Sequence, residues 1–148
     1  MKIAHQAVVM VVDGGKMLLF RNTGSELHPD LQVEEAIAQI NPPSRDQSAD
    51  RPGRASSPRV GGTSRSAMEE KDFHQQGEDR FAAEAAEMLN QQAQNGYFKH
   101  LIIVAPPKFL GAMRQHYDKA VQDRLVGEVG KTLTGHPVAE IERIILQS

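Results

Sequence analysis

A single α/β domain with a mixed sheet flanked by helices follows from three features of the 148-residue chain. Continuous apolar runs, QAVVMVV at 6–12 and HLIIVAP at 100–106, read as strands buried on both faces. Segments with apolar residues at three- and four-residue steps, at 74–96 and 137–146, are interleaved with strand-like runs. Helices alternating with buried strands imply a sheet with helices packed on its faces. The length suits one domain with one core.

Taken in chain order, QAVVMVV is a central strand. Asp13-Gly14-Gly15 is a turn signal and KMLLFRN a second strand, so 6–21 reads as a hairpin. Residues 25–33 are a weaker third strand, and VEEAIAQI at 33–40 suits either a short helix or a strand extension. The segment 41–72 is rich in Arg, Gly, Pro and Ser and has no apolar periodicity, so it reads as a long loop within the domain. Loops of that length are functional or disordered. Phe81, Ala85, Met88, Leu89 and Ala93 share one face of a helix over 74–96, which Gly96 stops. Pro106-Pro107 ends the strand at 100–106, and a helix runs from Lys108 to about Ala120, with 121–124 either continuing or breaking it. RLVGEVGKTL at 124–133 is a further strand. PVAEIERIIL at 137–146 is an amphipathic helix with Pro137 in its first turn. The expected order is therefore β-β-β-loop-α-β-α-β-α.

Composition narrows the functional classes. There are no cysteines, which removes disulfides, thiol nucleophiles and cysteine-based zinc sites and suits a reducing cytoplasm. No run of about 18 apolar residues exists, so no membrane insertion is expected. The N-terminal apolar run is broken by His5 and Gln6 and leads into Asp13-Gly14-Gly15, so it reads as a first strand and not as a secretory signal. Net charge is -2, but residues 45–65 hold five arginines against Asp46 and Asp50, a net +3 that leaves -5 for the remainder. The planar fork of Arg suits phosphate or carboxylate recognition, although arginines are also common in solvated loops.

Catalytic motifs are sparse. Gly14-Gly15 lacks dinucleotide spacing, and there is no Walker motif. His5, His28, His74, His100, His116 and His136 are scattered without metal-ligand spacing, and no metal or other cofactor is expected. Ser64 or Ser66 with His74 as base has no nucleophile elbow to position it. A nuclease would need carboxylates brought together, and no spacing unites Asp13, Glu26, Asp30, Asp118 and Glu128. Pro106-Pro107-Lys108 is more specific: a buried strand exits into a helix N-terminus, where Lys108 could hold an anion. The plainer reading is that the prolines stop the strand and start the helix.

HLIIVAPPKFLGAMR, Lys131-Thr132-Leu133-Thr134, Asp50-Arg51-Pro52-Gly53-Arg54 and Glu78-Asp79-Arg80-Phe81-Ala82 together resemble the bacterial host-attachment protein family, described as required for attachment to host cells. The resemblance spans nearly the whole chain. Asp50, Gly53, Glu78, Pro106, Pro107, Lys131 and Thr134 are its motif positions here, and Thr132 departs from it where the family has Asp. A more remote resemblance is to the middle domain of archaeal and eukaryotic class I release factors, which has a ribonuclease H-like fold. In that domain an early group of strands leads to a GGQ tip, then a long helix, then a buried strand. Arg59-Val60-Gly61-Gly62-Thr63-Ser64, followed by the helix at 74–96 and HLIIVAP, has a similar layout. Thr63 replaces the Gln on which peptidyl-tRNA hydrolysis depends, so the resemblance does not imply that reaction.

The sequence therefore suggests a non-catalytic cytoplasmic module that acts indirectly in attachment. Arg51, Arg54, Arg59, Arg65 and Lys108 are its candidate contacts to the ribosome, tRNA or other RNA, and Gly61, Gly62, Thr63 and Ser64 form its loop tip. The alternatives are a hydrolase or nuclease on the same scaffold and a protein–protein interaction module needed for attachment to host cells.

Overall fold

The computed structural model describes residues 1–38 and 67–148, with only the helical backbone over 67–75. Strands β1 (Val8–Val12), β2 (Lys16–Asn22) and β3 (Leu31–Ala38) come first, followed by helix α1 (Ala67–Gln94) and β4 (Leu101–Val104). Helices α2 (Pro107–Arg114) and α3 (Lys119–Arg124), strand β5 (Leu125–Val129) and helix α4 (Val138–Leu146) complete the domain. The strands form one five-stranded mixed sheet in the order β3-β2-β1-β4-β5. β1–β2 and β2–β3 are antiparallel, whereas β1–β4 and β4–β5 are parallel. This is the expected α/β architecture, with one more short helix among the described residues than the sequence pattern gives.

β1 and β4 are buried along their whole length, as their unbroken apolar runs require. Met10, Leu19, Leu101 and Ile103 face α1, α2 and α3, where they meet Phe81, Leu89, Phe109 and Met113. Val9, Val11, Phe20, Ile102 and Val104 face the other way, onto Ile141 and Ile145 of α4. Each such side chain contributes about 1.5–3 kcal/mol of hydrophobic stabilisation when fully buried. On α1 the buried alanines 82, 85, 86 and 93 carry little bulk, which lets the helix axis sit close to the sheet.

Several boundaries differ from the sequence pattern for identifiable reasons. The third strand occupies 31–38 and not 25–33, because residues 23–30 are gathered into a loop around buried Asn22. Its amide nitrogen donates to the carbonyls of Ile3, Ala4 and Ser25 at 3.0–3.2 Å. Its Oδ1 accepts from the backbone N–H groups of Gly24 and Asp30 at 2.9 and 2.8 Å. Gly24 passes so close to the His28 carbonyl that a Cβ there would lie 2.3 Å from it. The described part of VEEAIAQI, 33–38, continues the strand and does not form a helix. Helix α1 begins at Ala67, so the expected loop over 41–72 loses its last residues to the helix. Residues 67–80 lack apolar periodicity but hold three Glu and two Gln beside Ala67, Met68, Lys71 and Arg80, all of which favour helix.

The helix expected from Lys108 to Ala120 is divided by a buried side chain of α1. Asn90 donates to the His116 carbonyl at 2.9 Å and accepts from Asp118 N–H at 3.0 Å. Asp118 then caps α3 through the N–H of Val121 at 3.1 Å. The strand expected over 124–133 ends at Val129. Beyond it Lys131 N–H turns back onto the Val129 carbonyl, and Pro107 packs against Gly130.

Arg21, Glu34 and Tyr97 tie the outer strands to the end of α1. Arg21 Nε donates to Glu34 at 3.0 Å, one terminal nitrogen donates to the Tyr97 carbonyl at 2.9 Å, and the guanidinium lies 4.6 Å from the Tyr97 ring centre. The Tyr97 hydroxyl donates to the other Glu34 oxygen. Partial burial acts to raise the Glu34 pKa, but the bonds from Arg21 and Tyr97 outweigh it and hold the carboxyl below its ordinary value of 4.5.

Two outcomes are expected from these contacts. Asn22→Ala leaves a cluster of buried backbone groups without partners and should lower unfolding free energy by about 2–4 kcal/mol, read as an earlier urea midpoint at unchanged m-value. Because the folded-state pKa of Glu34 is depressed, its stabilisation is complete above about 4.5 and is lost as pH falls through the lower folded value. Melting temperatures of the parent and of Glu34→Gln should therefore converge on acidification from neutral pH; a constant gap would refute this linkage.

Candidate functional site

The parallel strands β1, β4 and β5 end on one edge of the sheet, the position at which open α/β sheets place ligands. β2 starts and β3 ends on the same edge, since Val12 pairs with Met17 and Lys16 with Ala38. Asp13-Gly14-Gly15 makes the β1–β2 turn there. One Asp13 oxygen accepts from the N–H groups of Gly15 and Lys16 at 2.8 and 2.9 Å. The other accepts from the Thr134 hydroxyl at 2.6 Å, which draws the β5–α4 connection onto the end of β1. Leu133, buried in the α4-side core, anchors that connection from beneath.

Helix α1 crosses the same turn. A Cβ on Gly14 would lie 2.8 Å from Glu78 Cγ, so the absence of a side chain at 14 makes room for Glu78. Glu78, Asp79 and Lys108 line a shallow depression with Phe109 and Ala112, too small for more than a water molecule. Lys108 is exposed in the first turn of α2, which Pro107 opens without a side-chain cap. Its two neighbouring carboxylates offset its charge.

The structure thus gathers Glu78, Pro106, Pro107, Lys108, Lys131 and Thr134 at one edge, although they come from α1, the β4–α2 corner and the β5–α4 connection. Asp13 and Gly14 join them. Asp50, Arg51, Gly53, Arg54, Arg59, Gly61, Gly62, Thr63, Ser64 and Arg65 lie outside the described residues, as do Ser66 and the side chain of His74. The segment that contains them leaves β3 at Ala38 and enters α1 at Ala67, so both of its anchors belong to elements that meet this edge.

The remaining carboxylates considered for nuclease chemistry are dispersed. Glu26 and Asp30 sit in the β2–β3 connection, at the opposite edge. Asp118 caps α3 and accepts from Gln94 at 2.5 Å. Glu128 accepts from Arg114 Nε at 2.9 Å and lies 3.5 Å from the Tyr117 hydroxyl. Burial, reinforced by the Glu128 charge, pushes that phenol well above its ordinary pKa and keeps it neutral. Among the described residues no group of three His, Asp or Glu side chains is placed to hold a metal ion. His5 bonds the Gly24 carbonyl at 2.6 Å, and His136 lies 3.4 Å from Glu140 one turn along. The tether between Asp13 and Thr134 has no local sequence signal, because the two residues are 121 positions apart. The role of Asp13 in the turn was legible from Asp-Gly-Gly.

The chain belongs to bacterial archaeo-eukaryotic release factor family 12, which it matches over residues 6–145. No curated protein matches it. Among solved structures it is similar to an archaeal translation termination factor, aRF1, at 14% identity and a TM-score of 0.47. That similarity covers 95% of this chain and 40% of the termination factor. Among the described residues no helix is long and apolar enough to cross a membrane.

The tether at this edge has a measurable expectation. Thr134→Val should lower unfolding free energy by about 1–2 kcal/mol, whereas Thr134→Ser should retain most of it. Asp13→Ala should cost more than Thr134→Val, because it removes the turn bonds as well; equal losses in chemical denaturation would contradict the double role of Asp13.

Proposed function

We propose that this protein is a non-catalytic, cytoplasmic module of release-factor type that associates with the ribosome or its RNA through the arginine-rich segment. The observation that carries the reading is that the segment leaves β3 at the sheet edge where Lys108 and Lys131 are exposed and returns through α1, whose Glu78 meets the same edge. Arg51, Arg54, Arg59 and Arg65 supply phosphate contacts, and Gly61-Gly62 supplies a tip whose backbone can follow an RNA surface. Family membership supports a relation to translation. In this reading a requirement for attachment to host cells follows indirectly, from altered synthesis of other proteins.

Two features support a role without catalysis. Thr63, not Gln, follows Gly61-Gly62. Asp13, the carboxylate at the end of β1, accepts three hydrogen bonds from its own turn and Thr134, an arrangement suited to holding the fold. A hydrolase or nuclease would instead need that group turned toward a substrate. A protein-interaction module for attachment is the other reading.

The test is association of the full chain with purified ribosomes and with tRNA over a salt series. Binding should be measurable at low salt and weaken steeply as salt rises. In the variant carrying Arg51→Ala, Arg54→Ala, Arg59→Ala and Arg65→Ala, the slope of log K against log salt should shrink by about three to four. Absence of binding at low salt, or an unchanged slope in the variant, overturns the proposal.

A further inference from the structure

β3 forms one end of the sheet, so its outer backbone groups face away from β2. Over its eight residues, roughly 26 Å, no other strand among the described residues pairs with its outer side. Residues 32–36 are exposed in succession, without the in-out alternation of a half-buried strand.

The exposed side chains are nevertheless sorted by face, and a β-bulge does the sorting. Leu19 pairs with Glu35 and Phe20 with Val33, which leaves Glu34 as the extra residue on β3. Glu35 lies opposite Leu19, a member of the core beneath α1, and Glu34 reaches Arg21 and Tyr97 at the end of that helix. Both acids therefore lie on the α1 side. Val33 lies opposite Phe20 and Ala36 opposite Leu18, on the side packed by α4. Helix α4 is only nine residues long and leaves Val33 54% exposed. Over residues 33–36 the edge thus shows Glu35, and Glu34 already paired with Arg21, on the α1 face and Val33 and Ala36 on the other, while Ile37 opposite Met17 packs toward the α1-side core.

This pattern selects the kind of strand that can be added. A second copy pairing antiparallel about the middle of β3 would set Glu34 of each copy opposite Glu35 of the other, and like charges directly opposite are destabilising. Inward charges and bulges are known devices against such self-pairing. Nucleic acid is disfavoured by the same carboxylates. A strand with basic residues toward the α1 face and apolar residues toward the α4 face meets complementary groups on both.

We propose that the β3 edge takes up an extended segment of a protein partner whose side chains alternate basic and apolar. Its main chain extends the sheet, its basic residues pair with Glu35, and its apolar residues cover Val33 and Ala36.

The experiment titrates the isotope-labelled full chain with a capped eight-residue peptide of alternating Lys and Val, followed by backbone amide resonances. The expected result is saturable shifts over residues 31–38 with slowed hydrogen exchange there. A peptide of alternating Glu and Val should bind at least about tenfold more weakly. Glu35→Lys should weaken the Lys–Val peptide by about tenfold and improve the Glu–Val peptide, and Val33→Lys should weaken the Lys–Val peptide. The variant without the four arginines should bind the Lys–Val peptide normally, which separates this surface from the RNA reading. Shifts that map elsewhere, equal affinity for both peptides, or indifference to Glu35→Lys and Val33→Lys overturn the proposal.

Discussion

Burial of β1 and β4 on both faces is the constraint from which the remaining architecture follows. Neither strand carries a polar residue with which to face water, so the sheet must be covered above and below. Parallel pairing of β1 with β4 requires a crossover, and α1 makes it across one face. β5 pairs parallel to β4, and the chain beyond it brings α4 to the other face. Parallel strands point their carboxyl ends the same way, so the layering also gathers Asp13, the Pro106-Pro107 corner and the residues after Val129 at one edge. The candidate site is a geometric consequence of how the core is closed.

Long apolar runs and periodic helices were legible because their signals are local. The hairpin at β1–β2, the buried strand at β4 and the terminal helix appear where the pattern puts them, with ends shifted by a few residues. The features that were not legible depend on partners far away in sequence. Asn22 diverts residues 23–30 from strand into loop by bonding Ile3 and Ala4, and Asn90 divides the second half of the chain by bonding His116 and Asp118. A single asparagine gives no periodic signal, yet each dictates a backbone path. At the edge, Glu78 and Thr134 could be singled out only by family resemblance. Their contacts with Gly14 and Asp13 explain what those side chains do for the fold.

The long helix gives the edge part of its character. α1 has 28 residues, about 42 Å of helix, whereas the longest strand spans roughly 26 Å. Glu78 meets the β1–β2 turn, and the apolar face that packs on the sheet runs from Phe81 to Ala93. The portion of α1 before Gly77, roughly 15 Å of helix, therefore continues past the sheet edge. It joins the arginine-rich segment to the body, and among the described residues of α1 the hydrophobic core contacts begin at Phe81. This division lets the segment change in sequence while the fold keeps its stability, the arrangement expected when binding residues are carried on connections and positioned by a rigid scaffold.

Charge is divided along the same line. Residues 45–65 carry a net +3 within a chain of net -2, so the remainder is acidic. A body of net negative charge limits nonspecific association with a polyanion and favours approach with the basic segment foremost. β3 lies on the acidic side of this division, and its Glu35, on the α1 side of the sheet, would repel a phosphate backbone and attract a basic peptide. The two surfaces therefore need not compete for one ligand. A molecule attracted to the arginines is turned away from β3, and a strand attracted to β3 gains nothing from the arginines. If both proposals hold, the opposite signs of the arginine-rich segment and of Glu35 predict that a nucleic acid and a basic peptide bind without displacing one another.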